Sequence, residues 1–202
     1  MDSQSKKRII GLKEIVIVVL LTALIIVVSL ITALPFMASP RWSVWGGYTL
    51  TALIGGSIYV LMIAKSPKIG TNLLFFSVQA LYTLIMGQAP TALVYLIGGI
   101  ICELITLNGG YKQPWRAGIS YAVHSVIFGV GSFTPMFIGA DAYAQQMLDA
   151  GMSQEIVNSM VYDLIAPSFV VISSLLLVIA STIGMVIGVL MLKKHFKPAG
   201  VA

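Results

Sequence analysis

The chain has 202 residues, of which 58% are hydrophobic and only 9% are charged, against roughly 25% charged residues in an ordinary soluble domain. This composition excludes a soluble globular protein and is typical of an integral membrane protein. The single cysteine, Cys102, excludes a disulfide framework and a metal site built from clustered cysteines. We expect one domain spanning residues 1–202, whose hydrophobic faces contact lipid and one another.

Five stretches without charged residues predict the membrane segments, and they cover residues 15–40, 42–64, 69–102, 117–140 and 164–192. As one helix the third stretch would reach about 51 Å at 1.5 Å per residue, whereas a bilayer's hydrocarbon core is about 30 Å thick. Gly87 and Pro90 in "MGQAP" break it, because glycine weakens a helix interior and proline suits the first turn of a new helix. The sequence therefore predicts an all-α membrane protein with six helices, at about 14–36, 47–64, 69–86, 90–107, 116–137 and 167–192.

Lysine and arginine are distributed unevenly over the segments between these predicted helices. With both termini placed in the cytoplasm, eleven of the twelve basic residues lie on the cytoplasmic side and Arg41 alone lies outside. The cytoplasmic eleven are Lys6, Lys7, Arg8, Lys13, Lys65, Lys68, Lys112, Arg116, Lys193, Lys194 and Lys197. Because they are scattered over four short segments, they indicate the inner face of a membrane and exclude a nucleic-acid groove.

The predicted outer loop at 138–166 is long and acidic, and it contains no lysine or arginine. Asp141 as a first-turn acid, Gly151 as a stop and Ser153 as an N-cap predict two short helices within it. A loop of this length with its own secondary structure is typical of a lid over a binding site. A solvated cap without a ligand role is the alternative.

No group of residues predicts catalysis. His124 lies within a predicted helix and the serines near it have no clear carboxylate companion, whereas a hydrolase needs its nucleophile and base at one depth. The chain also has no phosphate-binding glycine loop with a lysine, so any active transport must use energy from another protein. We therefore expect no enzymatic activity, no cofactor and no metal.

Two ionisable residues lie inside the predicted spans, where they are costly. Glu103 is about one turn from the cytoplasmic end of its helix, where we expect it to reach the interface or to pair with Lys112 or Arg116. His124 lies farther inside, and either a hydrogen bond to a neighbouring helix or a position beneath a polar pocket would satisfy it.

The outer half of the protein carries the residues best suited to recognition. Tryptophan and tyrosine there also fit an aromatic belt at the membrane interface, but an outward arginine and two glutamines on the same side favour a pocket. Amides and an arginine suit a polar or anionic small molecule, and aromatic side chains suit a ring. The candidate substrate-binding residues are Arg41, Trp45, Tyr48, Gln79, Tyr82, Gln88, His124 and Asp141.

Small residues recur at four-residue spacing in two predicted helices, which is the pattern of close helix packing in membranes. They are Ala52 and Gly56 in one helix, and Ala180, Gly184 and Gly188 in the other. The pattern fits packing inside the protein, and it also fits a face that docks on another membrane subunit.

Several short motifs resemble those of the Trep_Strep family of bacterial integral membrane proteins. They are "NGGYK" at 108–112, "DAYAQQM" and "GMSQE" in the outer loop, and "KKHFKPAGVA" at 193–202. The family is grouped with the substrate-binding S components of energy-coupling factor (ECF) transporters. The resemblance implies a protein of the bacterial cell membrane that captures a small micronutrient outside. It also implies three partner chains, namely a transmembrane coupling subunit and two cytoplasmic ATPase subunits.

Two other functions fit the same sequence. One is a membrane scaffold whose outer loop binds a protein partner, and the other is a small stand-alone secondary transporter. A transporter of that kind normally shows a repeat between its halves and a carboxylate near the middle of the membrane. The sequence shows neither.

Overall fold

The computed structural model describes residues 9–196, and within that range the regular secondary structure is helical apart from one isolated β-bridge between Ile9 and Ile69. We label the seven long helices α1 to α7. They are α1 Leu12–Ala33, α2 Thr49–Lys65, α3 Thr71–Ile85, α4 Ala89–Thr106, α5 Pro114–Gly129, α6 Thr134–Asp149 and α7 Pro167–Met191. The short helical turns are Leu34–Phe36, Pro40–Trp42, Ser43–Tyr48, Gly110–Lys112, Gly131–Phe133, Gln154–Val157, Asn158–Tyr162, Asp163–Ile165 and Leu192–Phe196.

Five segments are long and apolar enough to cross a membrane. They are Leu12–Phe36, Pro40–Lys65, Ala89–Thr106, Pro114–Asp149 and Pro167–Lys194. Helix α3 is apolar too, but its 15 residues reach only about 22 Å at 1.5 Å per residue. The structure is therefore all-α with five candidate membrane-spanning segments and one shorter apolar helix among the described residues.

The region predicted as one helix at 116–137 contains an interruption. Helix α5 ends at Gly129, a 3-10 turn covers Gly131–Phe133, and α6 begins at Thr134 with Pro135 in its first turn. Helix α6 then runs on into the acidic segment, with one non-helical residue at Gly139. The single helix predicted at 116–137 is wrong here, because Pro135 lies in the first turn of a new helix.

Close packing of α2 against α7 uses the small residues that the sequence singled out. Ala52, Gly56, Ala180, Gly184 and Gly188 are all buried. A Cβ atom added to Gly184 would overlap the backbone of α2, as would one added to Gly188. These small residues therefore serve packing inside the protein, and they are not available as a docking face.

The two ends of the bundle differ in charge. We call the end where α3 turns into α4 the cavity end. The cavity end carries Arg41, Asp141, Asp149, Glu155 and Asp163. The opposite end carries the other described basic residues, which are Lys13, Lys65, Lys68, Lys112, Arg116, Lys193 and Lys194. Lys6, Lys7, Arg8 and Lys197 lie outside the described residues.

Glu103 holds the opposite end of the bundle together. Its carboxylate accepts hydrogen bonds from the backbone N–H of Gly70 at 2.9 Å and of Leu73 at 3.1 Å, and from the Tyr111 hydroxyl at 2.8 Å. The expected pairing with Lys112 or Arg116 is wrong, since Arg116 donates to the backbone carbonyl of Ile105. The backbone N–H groups at the start of α3 have no acceptor within the helix, and they bind the Glu103 carboxylate in place of a basic side chain.

Beyond Gly139, the chain folds back at the cavity end as a helical hairpin, comprising residues 140–162. Gly151 has a φ of +85° and stops the first arm, and the Ser153 hydroxyl accepts a hydrogen bond from the Ile156 N–H, as the sequence predicted. Ala144, Val157 and Val161 form its own small apolar core. The hairpin is thus a packed element.

Candidate binding cavity

A cavity of about 440 Å³ opens between α1, α3, α4 and α5 at the cavity end, which is within the size range of small-molecule sites. Four of the predicted site residues line it, namely Tyr48, Gln79, Tyr82 and Gln88. The other lining residues are Ile26, Ser29, Leu30, Ala33, Thr83, Met86, Tyr95, Phe128, Ser132, Phe133 and Met136. These described lining residues include no lysine, arginine, histidine, aspartate or glutamate.

Helical periodicity places two rows of side chains on the cavity wall. Helix α3 with its C-cap Met86 contributes positions 79, 82, 83 and 86, and α1 contributes positions 26, 29, 30 and 33. Both rows follow the i, i+3, i+4, i+7 spacing of one helix face. Thr83 and Met86 were not among the predicted site residues, although their spacing from Gln79 and Tyr82 would have identified them.

The turn between α3 and α4 fixes the position of Gln88. Gly87 has a φ of +77°, a conformation that glycine adopts without steric cost, and its N–H bonds to the Leu84 carbonyl. The backbone N–H of Gln88 then donates to the Thr83 carbonyl at 2.8 Å. The turn closed by Gly87 therefore places Gln88 among the residues that line the cavity.

Tyr48 reaches the cavity at the end of the π-helical turn Ser43–Tyr48. Gly47 within this turn lies against α1, where an added Cβ would be only 3.0 Å from the Cα atom of Ala33. A larger residue at Gly47 would push the turn away from α1. The Tyr48 ring packs edge-on against Phe128, with 5.2 Å between ring centroids.

Gln79 lines the cavity, and its side chain bonds to the buried His124. His124 is only 3% exposed, and its Nε2 lies 3.0 Å from the Gln79 side-chain oxygen. The Gln79 amide nitrogen donates to the Phe75 carbonyl at 3.3 Å, which fixes the orientation of the amide. Its oxygen therefore faces His124, so Nε2 of His124 carries the hydrogen and donates it. His124 thus orients Gln79 and does not itself line the cavity.

Arg41 and Trp45 lie away from the cavity lining. Arg41 forms an ion pair with Asp163 at 3.1 Å, and its guanidinium lies 5.7 Å from the centre of the Trp45 ring. The Trp45 indole N–H donates to the Ser173 hydroxyl at 3.0 Å, and the ring stacks on Phe169. Arg41 therefore connects the chain before α2 to the turn Asp163–Ile165, and Trp45 connects it to α7.

Asp141 contacts the second arm of the hairpin instead of the cavity. Its carboxylate accepts a hydrogen bond from the Tyr162 hydroxyl at 2.8 Å. This bond, made to the neutral phenol, raises the pKa of Tyr162 above its ordinary value. Asp141 therefore closes the base of the hairpin.

Tyr95, Phe133 and Met136 line the cavity but were not among the predicted site residues. Phe133 and Met136 come from the motif "GSFTPMF", which the interruption after Gly129 turns toward the cavity. Met136 also packs against the apolar core of the hairpin. It thereby connects the cavity wall to that element.

Comparison with known proteins identifies the family. Residues 12–197 match the model of the Trep_Strep family, which is described as a hypothetical bacterial integral membrane protein. Searches of curated proteins and of solved structures found no match. Because the family match covers nearly the whole chain, this protein belongs to the Trep_Strep family of bacterial integral membrane proteins.

Proposed function

We propose that this protein is the substrate-binding S component of an ECF-type importer and captures a small organic molecule in the cavity. The observation that carries this proposal is the cavity itself. It is large enough for a vitamin-sized molecule, and it lies at the end of the bundle that has few basic residues. The protein is a binding protein in this proposal, and it performs no catalytic step.

In the proposed topology the cavity faces outward and both termini are cytoplasmic. The described basic residues other than Arg41 gather at the opposite end, which is the expected arrangement for a cytoplasmic face. Helix α3 would be a sixth membrane segment despite its length, because it carries exposed apolar residues for lipid contact. These are Leu73, Leu81, Leu84 and Ile85.

The hairpin at 140–162 would act as the lid of the cavity. It is joined to the cavity wall through Met136, and Tyr162 and Asp141 tie its two arms together. A second connection, between Arg41 and Asp163, joins the end of the hairpin to the chain before α2. Movement of the hairpin would therefore shift Met136 directly.

ATP-driven import would require a transmembrane coupling subunit and two cytoplasmic ATPase subunits as partners. The sequence has no glycine-rich phosphate loop with a lysine, so the energy must come from other chains. The direct test is purification from a bacterial host under native conditions, followed by mass spectrometry of proteins and small molecules. We expect the coupling subunit, the ATPases and one small molecule to co-purify.

Reconstitution into liposomes tests the same proposal quantitatively. The protein alone should bind the co-purified molecule without accumulating it, and accumulation should require the partners and ATP. A variant with residues 141–162 replaced by a short Gly-Ser linker should lose uptake. Uphill uptake by the protein alone would indicate a secondary transporter, and full uptake without the hairpin would contradict its role as a lid.

A further inference from the structure

We propose that the cavity accepts a small molecule without net charge that carries a planar ring and a hydrogen-bonding group such as a carboxamide or lactam. This inference rests on the proposed capture function and specifies its substrate class. It replaces the anionic ligand that an outward arginine suggested.

The first argument concerns charge. The lining residues within the described chain contain no cationic or anionic side chain. Arg41 already pairs with Asp163, and Asp141 already accepts from Tyr162. A charged ligand would lose its hydration in the cavity without gaining an ion pair, which is strongly unfavourable.

The second argument concerns the shape of the ligand. Five aromatic side chains from five separate segments surround the cavity, and two methionines complete its apolar surface. The residues are Tyr48, Tyr82, Tyr95, Phe128, Phe133, Met86 and Met136. Planar rings gain edge and offset contacts with such side chains, and methionine sulfur adapts to the ring edge. An aliphatic ligand would use this surface less well.

The third argument concerns the hydrogen bonds that the cavity can offer. Within residues 9–196, the side chains of Tyr82, Tyr95 and Gln88 make no hydrogen bond to another residue, although Tyr95 is only 3% exposed. A hydroxyl and a carboxamide each offer a donor and an acceptor. Gln79 contributes a side-chain amide of fixed orientation, whose oxygen already accepts a hydrogen bond from His124. The cavity thus complements a neutral group that both donates and accepts.

Aromatic faces also attract cations, so a cationic ligand is the competing class. The tyrosines of the cavity have carboxamides and methionines as neighbours. The lining residues that the structure describes include no carboxylate, so a bound cation would have no counter-ion there. The desolvation cost therefore favours the neutral ligand over a cation of the same shape.

Three isosteric probes separate these classes, namely benzamide, benzoate and benzamidinium, which carry charges of zero, minus one and plus one at pH 7. Their binding to the full-length protein in detergent is measured by ligand-observed NMR. We expect benzamide to bind at least about tenfold more tightly than either charged probe, a difference of about 1.4 kcal/mol. Small molecules released from the natively purified protein should also be uncharged at pH 7.

A charged side chain introduced into the cavity should reverse the preference for benzamide over the probe of opposite charge. Gln88→Lys should favour benzoate over benzamide, and Gln88→Glu should favour benzamidinium, each by about tenfold relative to the natural residue. Gln113→Lys and Gln113→Glu are the matched controls, because Gln113 is exposed at the opposite end of the bundle. The controls should retain the original order of affinities.

The outcomes separate the two proposals. Tightest binding of benzoate or benzamidinium to the natural protein, or release of a charged molecule from it, would overturn the substrate class and leave capture intact. No binding of any probe, together with no released small molecule, would overturn both proposals. Equal responses of the Gln88 and Gln113 variants would place probe binding outside this cavity and so refute the assignment.

Discussion

Replacing Glu103 by glutamine tests whether this carboxylate stabilises the fold without serving the cavity. One carboxylate oxygen accepts from Gly70 and Tyr111, and the other accepts from Leu73. A glutamine can keep its carbonyl oxygen on the first pair, but its NH₂ group then faces the N–H of Leu73. The substitution exchanges one acceptor for a donor at the start of α3.

The expected loss of stability follows from these contacts. A hydrogen bond to a charged group contributes about 1.5–3 kcal/mol, and a negative charge at a helix N-terminus adds about 0.3–1 kcal/mol. We therefore expect the free energy of unfolding to fall by about 2–4 kcal/mol. For a chain of this length that corresponds to a decrease of roughly 4–16 °C in Tm, using the scale for soluble proteins.

The assay is thermal unfolding in detergent, combined with benzamide titration of the same sample. Glu155→Gln is the control, because Glu155 is exposed on the hairpin and accepts no side-chain hydrogen bond within the described chain. Benzamide affinity should stay unchanged in Glu103→Gln, since the residue lies at the opposite end from the cavity. A Tm equal to that of the control, or loss of benzamide binding in the folded variant, would refute the reasoning.

Three further predictions concern packing, topology and the hairpin. Gly184→Ala should destabilise the protein by about 1–3 kcal/mol or more, measured by thermal unfolding, because its Cβ would meet the backbone of α2. In intact cells an impermeant thiol reagent should label Ala150→Cys and not Gln113→Cys, both of which replace exposed residues. Tyr162 should ionise above its ordinary pKa of about 10 by ultraviolet titration, and Asp141→Asn should lower that pKa. Any stability from this bond is therefore present below pH 10 and is lost as the pH rises through the raised pKa.

Each of these predictions has a control and a contradicting result. Gly118→Ala should be tolerated, since a Cβ there meets open space, and equal stability of the Gly184 and Gly118 variants would contradict the packing argument. Labelling of Gln113→Cys in intact cells would indicate that the protein has the opposite orientation in the membrane. Labelling of this variant only after permeabilisation would support the proposed topology. An unchanged titration after Asp141→Asn would show that the carboxylate does not perturb Tyr162.

The sequence by itself determined the features that depend on neighbouring residues. Runs of apolar residues established the membrane class, and Gly87 and Pro90 located the break between α3 and α4 within a few residues. Gly151 and Ser153 likewise identified the stop and the cap within the hairpin. These signals are local, because a helix end depends on backbone conformation and hydrogen bonds within a few positions.

Only the tertiary structure decided which side chains meet. Tyr48, Gln79 and Gln88 come from different segments and line one cavity, and the sequence had grouped them because they lie in the same half of the protein. The same reasoning placed Arg41 with them, but its guanidinium pairs with Asp163, which lies 122 positions away along the chain. Glu103 likewise bonds to the start of α3, about 30 positions away. The depth of a residue follows from its position in a hydrophobic run, whereas the direction of its side chain depends on helix rotation and on packing partners distant in sequence.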